Sequence, residues 1–243
     1  MRLHIAPVLL AGVLFLASHT PTRAGSLQVE PVLVDVIAPG AASTMTLRNQ
    51  GDTPVDAQIR VFRWSQADGQ EKLDPTNDVV ASPPAVTLAP KSDRIVRIVR
   101  VSKAPVVGEE NYRLFIDQLP DPAQQQNGVV KFLVRRSIPV FFGAPNKVAP
   151  AVVWSASVTG DTITVTSRNS GERRLRVAAL ALHDDKGRTI SFGNGLVGYV
   201  LGQATMRWTA PGARGFAASG SASISAQSES GPIHAVATVA SPH

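Results

Sequence analysis

Few residues of this chain have the types and spacing that catalysis requires. His183 is followed by Asp184 and Asp185, but the next residues, Lys-Gly-Arg, are typical of a strand end and a turn. No GxSxG nucleophile motif, HExxH zinc motif or phosphate-binding loop occurs in the sequence. The sequence therefore indicates no catalytic site, and we expect a protein that is not an enzyme.

Three carboxylates, Glu71, Asp74 and Asp78, lie close together in what reads as one loop. Carboxylate oxygens are the ligands that calcium prefers, but this spacing fits no known calcium-binding loop. We expect a solvated loop here. No residue pattern elsewhere indicates a metal site or a cofactor, so none is expected.

Arginines are the charged residues that stand out on predicted strands. Charged side chains at strand edges often prevent aggregation, which is one explanation for each of them. The alternative is that some form a fork that holds a carboxylate through paired hydrogen bonds. If the strands around Pro120–Asn127 form a hairpin, Arg113 is expected beside Leu133–Arg135. Those of the first domain include Arg60, Arg63, Arg94, Arg97, Arg100, Arg113, Arg135 and Arg136.

The elements that must position these residues are strands. Turn-forming clusters separate short apolar runs at intervals of about 8–12 residues, which is typical of β-sandwiches and barrels. Helical periodicity is nearly absent, so we predict an all-β fold. The first set contains seven predicted strands, the number of an immunoglobulin-like sandwich. They are Leu27–Ile37, Ser43–Asn49, Val55–Trp64, Ala85–Leu88, Arg94–Val101, Tyr112–Leu119 and Val129–Phe142.

A second set of strands is predicted in the rest of the chain, which also repeats part of the first. Thr46–Val61 resembles Thr166–Leu180: each is a strand ending in Arg-Asn, a glycine turn and a second strand. Such a repeat indicates two related sandwiches. We place the boundary in the Gly-Ala-Pro-Asn segment, giving domains at residues 25–143 and 144–243. The second set is Val152–Val158, Thr162–Arg168, Arg174–His183, Gly198–Leu201, Thr205–Trp208, Ser221–Ala226 and Ile233–Val239.

Residues 1–24 have the pattern of a cleaved secretory signal. Arg2 precedes the apolar run Ile5–Ala17, which is too short to span a bilayer, and Ala24 suits the cleavage site. The sequence has no cysteine, which excludes disulfide scaffolds and thiolate chemistry in an exported protein. A formal net charge of +6 without a basic run gives no indication of nucleic-acid binding.

The predicted strand Val129–Phe142 is unusual because it is apolar on both faces. By the period of two, Val130, Phe132 and Val134 share one face, and Val129 and Leu133 share the other. A strand of a soluble sandwich normally has one face toward water. One interpretation is that all five residues belong to a single core, and the other is that one face packs against a partner.

Several stretches of the chain, in the same order, resemble the periplasmic chaperones of the chaperone–usher pilus pathway, and their character is that of the archaic branch. The resemblance covers essentially the whole mature chain. The stretches are VEPVLVDV, MTLRNQGDTPVDAQIRVFRWSQADGQEKL, VVASPPAVTLAPKSDRIVRI, YRLFIDQLP, VRRSIPVFFGAP and YVLGQATMRW.

The resemblance implies a fold and a binding mode. In this family, two immunoglobulin-like domains form an L or boomerang, and the seventh strand of the first domain completes a pilus subunit that lacks its own last strand, which is called donor-strand complementation. One face of that strand is then expected to pack the chaperone and the other the subunit. Matching the family pattern gives the donor residues Val130, Phe132, Val134 and Ile138.

The chain departs from the family at the anchor for the subunit's C-terminal carboxylate. P-pilus-type members use an arginine of the first strand and a lysine of the seventh, but the matching positions here hold Leu33 and Pro139. We expect another basic residue to replace them. Arg113 is the first choice, and Arg100, Arg135 and Arg136 are the reserves. The short Pro120–Asn127 loop argues against the long-loop subfamily.

The expected partners are pilus subunits and an outer-membrane usher, in the periplasm, with no nucleic acid and no membrane span. A free molecule is expected to cover its apolar strand in a homodimer. The alternative is a structural or adhesive module of a surface fibre. Its exposed aromatic platforms fit poorly with a chain in which aromatic residues are 5%.

Overall fold

The computed structural model describes residues 27–120, 133–217 and 220–240. All regular elements in these ranges are strands, so the predicted all-β class is confirmed. Within the same ranges, no helix is long and apolar enough to cross a membrane. The first ten strands are β1 (Leu27–Glu30), β2 (Val34–Ile37), β3 (Ala42–Asn49), β4 (Val55–Ala67), β5 (Gln70–Pro75), β6 (Val79–Ser82), β7 (Ala85–Leu88), β8 (Asp93–Arg100), β9 (Glu109–Gln118) and β10 (Arg135–Gly143).

These ten strands form two sheets around one core. One sheet has the order β1-β3-β8-β6, and the other has the order β2-β10-β9-β4-β5, with β7 also paired to β4. Alternate residues of both sheets point inward, as the period of two requires. The core side chains are almost fully buried and include Met45, Leu47, Ile98, Leu114 and Ile116.

The remaining strands form one sheet that surrounds a second core. Its order is β14-β13-β17-β18-β11-β12-β16, with β15 paired to β13. In this core, Trp154 stacks on Trp208 with ring centroids 6.0 Å apart. The strands are β11 (Val152–Thr159), β12 (Thr162–Asn169), β13 (Leu175–His183), β14 (Thr189–Ser191), β15 (Leu196–Val200), β16 (Thr205–Pro211), β17 (Ser221–Ser228) and β18 (Gly231–Ala240).

The first predicted strand, Leu27–Ile37, is two strands that belong to different sheets. β1 pairs antiparallel with β3, whereas β2 pairs parallel with β10. Pro31 lies between them and has no N–H for a continuous ladder, which is why one long strand was the wrong prediction. Because β2 begins only at Val34, it covers β10 from Val140 to Gly143 and no further.

Two residues of the predicted acidic loop, Glu71 and Asp74, lie on a strand, while Asp78 lies in the loop that follows it and pairs with Arg63 at 2.7 Å. Residues Gln70–Pro75 form β5, which pairs with the long strand β4 across a turn at Asp68 and Gly69. Its carboxylates are paired rather than merely solvated: Glu71 bonds Arg113 and Asp74 bonds Lys72. The stretch has too few apolar residues to show alternation, because β5 is the edge strand of its sheet. The short strands β6 and β14 were also not predicted.

The sequence repeat has a structural counterpart in two buried asparagines. Asn49 ends β3 and Asn169 ends β12, and both are almost fully buried. In each, Nδ2 donates to three backbone carbonyls, those of Thr53, Leu88 and Ala89 for the first and those of Arg173, Val200 and Leu201 for the second. In each, Oδ1 accepts from the glycine N–H two residues later at 2.9 Å. One side chain therefore closes each turn.

We expect Asn169→Ala to lower the free energy of unfolding by about 2–3 kcal/mol, because buried carbonyls and an amide lose their partner. Equilibrium unfolding in urea measures the change. Ser170→Ala is the matched control, because its exposed hydroxyl lies in the same turn and should contribute less than about 0.5 kcal/mol. An Asn169→Ala variant as stable as this control would contradict the role of the carboxamide.

Candidate functional site

Strand β10 has one edge that is covered along only half of its length. On one side it pairs antiparallel with β9 from Arg135 to Gly143, and the Gln118 N–H extends the ladder to the Val134 carbonyl at 3.1 Å. On the other side, β2 covers only Val140–Gly143. Among the described residues, no strand pairs with the Arg135–Pro139 half on this side. The edge is therefore open to a further strand.

A groove lies beside the open edge. It has a volume of about 600 Å³ and runs between β10 and the end of β1. Its walls are largely apolar and include Val29, Pro31, Val32 and Ile138, with Arg136 at the rim. Val32 is 71% exposed, which is unusual for a valine next to a core. The sandwich is thus open along the uncovered half of β10.

The predicted donor residues differ in their surroundings according to their position along β10. Ile138, Val140 and Phe142 share one face and pack in the first core. Val134 has the same parity and is half-buried beyond the end of that core, while Val130 and Phe132 lie outside the described residues. The expectation that one face serves the chaperone fold and the other serves a subunit was made for Val129–Val134, of which the structure describes only Leu133 and Val134, so it stays a prediction. The same face is covered by the sandwich at one end and leads into the groove at the other.

The register of the β9–β10 hairpin differs from the prediction. Arg113 lies opposite Pro139, not beside Leu133–Arg135, and the partner of Arg135 is Asp117. Leu33 precedes the pair Val34↔Val140, so the parallel register of β2 places it level with Pro139. Leu33, Pro139 and Arg113 therefore form one row across three neighbouring strands. Arg113 is the basic residue in the row that contains both positions of the missing anchor.

Arg113 is held by an aromatic ring and a carboxylate. Its guanidinium carbon lies 3.7 Å from the centre of the Trp64 ring and 5.9 Å from that of Tyr199. Its Nη2 donates a 2.9 Å hydrogen bond to Oε1 of Glu71. The Arg113 side chain is 13% exposed. It is therefore a largely buried cation whose position is fixed by stacking.

The ring under Arg113 belongs to a cluster that joins the two halves of the chain. Trp64 contacts Tyr199 edge-on, with centroids 5.6 Å apart, and Phe141 at 5.9 Å. Leu201 completes this small core. Gln66 bonds both the Tyr199 carbonyl, at 2.7 Å, and the Leu201 N–H, at 3.0 Å. The surface that carries Arg113 is thus built from residues of both halves of the chain.

A buried arginine that was not a predicted site residue completes the junction. Arg174 donates from Nη1 to Glu109 and from Nη2 to Asp35, both at 2.7 Å. Its backbone N–H also donates to Glu109 at 3.0 Å, and its guanidinium stacks on Phe141 at 3.6 Å. In the sequence, Arg174 follows the glycine turn that occurs in both copies of the repeat. This position indicates a contact only when the packing of the two sandwiches is known.

The three reserve arginines have different surroundings. Arg100 makes a two-pronged pair with Glu110 at 2.8 Å and bonds two carbonyls of the following loop, so most of its donors are in use. Arg135 pairs with Asp117, which also accepts from Arg60. Arg136 is exposed at the groove. Arg113 is therefore the predicted residue that lies at the junction of the two cores.

The His183 segment is a strand end and a turn, as predicted. His183 ends β13 and bonds the hydroxyls of Thr189 and Ser225. Oδ1 of Asp184 accepts from the N–H groups of Lys186 and Arg188, which closes the turn. Backbone hydrogen bonds, with that of Ala217 the largest, hold the pKa of Asp184 below its usual value. In the described ranges, no three metal-binding side chains come together.

Comparison with protein families matched residues 26–149 to "Pili and flagellar-assembly chaperone, PapD N-terminal domain", which is slightly more than half of the chain. The chain belongs to this family. Comparison with curated proteins found no match. The family is one of pilus chaperones rather than enzymes.

Solved structures of pilus chaperones share the fold of this chaperone. One from the CsuC–CsuE chaperone–tip adhesion subunit pre-assembly complex of the archaic Csu pili of Acinetobacter baumannii is 23% identical, with a TM-score of 0.67, and covers 88% of this chain and 98% of that chain. The YadV chaperone is 14% identical, with a TM-score of 0.62 and coverage of 88% and 99%. The Salmonella enterica SafB chaperone, solved with SafA pilin, is 19% identical, with a TM-score of 0.60 and coverage of 88% and 98%. The predicted pair of immunoglobulin-like sandwiches is confirmed.

The Arg100–Glu110 pair of the chaperone should respond to pH. Burial raises the pKa of Glu110, but hydrogen bonds from Arg100 and Tyr112 outweigh it and hold this pKa below its usual value. Burial and Glu110 in turn raise the pKa of Tyr112. Because the folded-state pKa of Glu110 is depressed, the pair stabilises the fold above the unfolded pKa. This stability is lost as the pH falls through the folded pKa.

We expect the melting temperature to fall less in Glu110→Gln than in the wild type when the pH is lowered from about 5 to about 2. Circular dichroism melts across this range measure the difference. Glu30→Gln, which removes an exposed carboxylate, should fall in parallel with the wild type. A Glu110→Gln curve that is also parallel to the wild type would show that the pair does not contribute.

Proposed function

We propose that this pilus chaperone acts in the periplasm, binds pilus subunits by donor-strand complementation and delivers them to an outer-membrane usher. Residues 1–24 are its export signal, and residues 25–143 and 144–243 are its two domains. Family membership supports the chaperone role. Two relatives of the same fold were solved in complexes named for a tip adhesion subunit and a pilin, which supports pilus subunits as clients.

The open half of β10 is the observation that carries the proposal. An exposed strand edge binds an extended partner through backbone hydrogen bonds, and pockets beside it select alternate side chains. Here the edge Arg135–Pro139 adjoins a largely apolar groove. A subunit that lacks a strand would cover both the edge and the groove. A second copy of the chaperone is the expected cover when no client is bound.

The proposed donor residues are Val130, Phe132, Val134 and Ile138. Val134 lies at the start of the open half, on the face that leads into the groove, and Ile138 lines the groove. Ile138 also packs in the first core of the chaperone. Its side chain would therefore contact a client only where the chaperone's core meets that of the client. The other two proposed donors, Val130 and Phe132, have the same parity as Val134 in the sequence.

The proposed anchor for the client's terminal carboxylate is Arg113, with Arg100, Arg135 and Arg136 as alternatives. Arg113 shares its row with Leu33 and Pro139, the positions of the missing family anchor. A charge at a fixed place removes the ambiguity of register in an apolar strand, since a slip of one residue would reverse every side chain. A guanidinium fork suits a carboxylate geometrically.

Copurification tests the proposal directly. The tagged chaperone, isolated from periplasm, should elute in a one-to-one complex with a pilus subunit identified by mass spectrometry. An adhesive or structural module of a fibre would elute without such a client. Recovery of the chaperone alone, while subunits are present in the same extract, would contradict the proposal.

We expect Val134→Asp to abolish this complex while the first domain stays folded. A carboxylate that would have to enter the apolar core of a client costs several kcal/mol unless it is paired. Ile95→Asp is the control, because Ile95 is 64% exposed on β8 and lies in the other sheet. Loss of the native circular dichroism melt in Val134→Asp would show instead that this side chain is needed for the chaperone's own core.

We expect Arg113→Ala to weaken client binding by about 2–5 kcal/mol, because the client's carboxylate loses its partner. Arg113→Lys should recover only part of this, since the planar fork is lost. Titration calorimetry with the copurified subunit type measures both. If Arg100→Ala, Arg135→Ala or Arg136→Ala weakens binding and Arg113→Ala does not, that other arginine is the anchor. If none of the four weakens binding, the carboxylate-anchor model is wrong.

A further inference from the structure

We propose that Glu71 occupies the anchor in the free chaperone and is exchanged for the client's terminal carboxylate. Glu71 would then determine how tightly a client's end is held. This inference rests on the proposed role of Arg113 and goes beyond it, because the resident carboxylate belongs to a different strand, β5, which is not part of the donor edge.

The two partners of Arg113 differ in how firmly they are held. The Trp64 ring is 2% exposed and packs against aromatic side chains from both halves of the chain, Phe141 and Tyr199. Glu71 is bound through a single 2.9 Å hydrogen bond, and its side chain is 34% exposed. The cation is therefore fixed by its stack, while the anion in front of it is within reach of water.

A largely buried guanidinium needs a counter-ion in the free state. Arg113 is 13% exposed, and an unpaired charge at that depth is costly. Glu71 supplies the counter-ion when no client is present. The anchor's contribution to client binding is then the strength of the client's ion pair less that of the Glu71 pair, which is smaller than one whole pair.

Glu71 is the junction carboxylate that can leave. It lies on β5, at the edge of its sheet and near the hairpin turn, so a rotated side chain would reach solvent. Two other carboxylates of the junction, Glu109 and Asp35, are already bound to Arg174. The Glu109 side chain is fully buried and binds Arg174 through two hydrogen bonds, and Asp35 binds the same guanidinium.

Exchange suits a chaperone that must also release its client. When the client's end moves away, Glu71 can rebind Arg113, so the cation is not left unpaired during transfer. Without Glu71, Arg113 would keep its Trp64 stack, but the client's carboxylate would be its only ion-pair partner among those the described residues show. Removal of Glu71 should therefore strengthen binding of a carboxylate end specifically.

The test uses Glu71→Gln in the full chain and a synthetic peptide copied from the C-terminal strand of the copurified subunit. The peptide is made with a free carboxylate and with an amide end. We expect Glu71→Gln to bind the carboxylate form about three- to tenfold more tightly and the amide form unchanged. Asp74→Asn is the matched control: it removes one charge from the same strand, pairs with Lys72 instead, and should leave both affinities unchanged.

Two results would overturn the inference. Weaker binding of the carboxylate form by Glu71→Gln would show that Glu71 positions Arg113 rather than competing at it. Equal binding by Glu71→Gln and wild type would show that no exchange occurs. Failure of the anchor itself has a different signature: the wild type and Arg113→Ala would then bind the carboxylate and amide peptides alike. Failure of strand donation would show as no binding of either peptide to the wild type.

Discussion

The contact between Arg174 and Glu109 fixes the geometry on which the rest of the binding surface depends. Glu109 is the first residue of β9, and four residues later the same strand carries Arg113. Because the pair is almost fully buried, its attraction is offset by the loss of hydration, and its main effect is on orientation rather than stability. Two hydrogen bonds to one carboxylate and a stack on Phe141 allow few alternative arrangements. The second sandwich therefore docks against β9 in one way, which also places Tyr199 beside Trp64.

Strand β10 has two halves with different surroundings, and the proposed function assigns one to the fold and the other to a client. Its C-terminal half is a central strand that is paired on both edges, and its side chains Val140 and Phe142 are buried in the first core. At its N-terminal half it is an edge strand beside a groove. The covered half packs in the chaperone's own core, so in the proposed binding mode a client could leave the open half without exposing that core. Its rim carries Arg136, a charge of the kind that limits unwanted pairing of strand edges.

Much of the fold could be predicted from the sequence because it depends on local patterns. Alternating runs and turn clusters predicted the long strands, and the repeat around Asn49 and Asn169 predicted two related units. The hairpin register could not be predicted, since it depends on how many loop residues extend the ladder, and this misplaced Arg113 by several residues along β10. The partners of Arg113 were also hidden. Glu71 is an edge-strand residue without alternation around it, and Trp64 faces a junction that appears only when two sandwiches are packed.

The two asparagine-closed turns have a consequence for how duplicated domains can diverge. In both copies the shape of the turn depends on one buried carboxamide, so the residues between the strands are free to differ. The first copy uses that freedom for a solvent-facing turn. In the second copy, Asn169 holds the Arg173 carbonyl at 2.8 Å, immediately before Arg174. The same turn therefore also holds the backbone beside Arg174, whose N–H donates to Glu109, so a turn that closes one hairpin also helps to fix the second sandwich against β9.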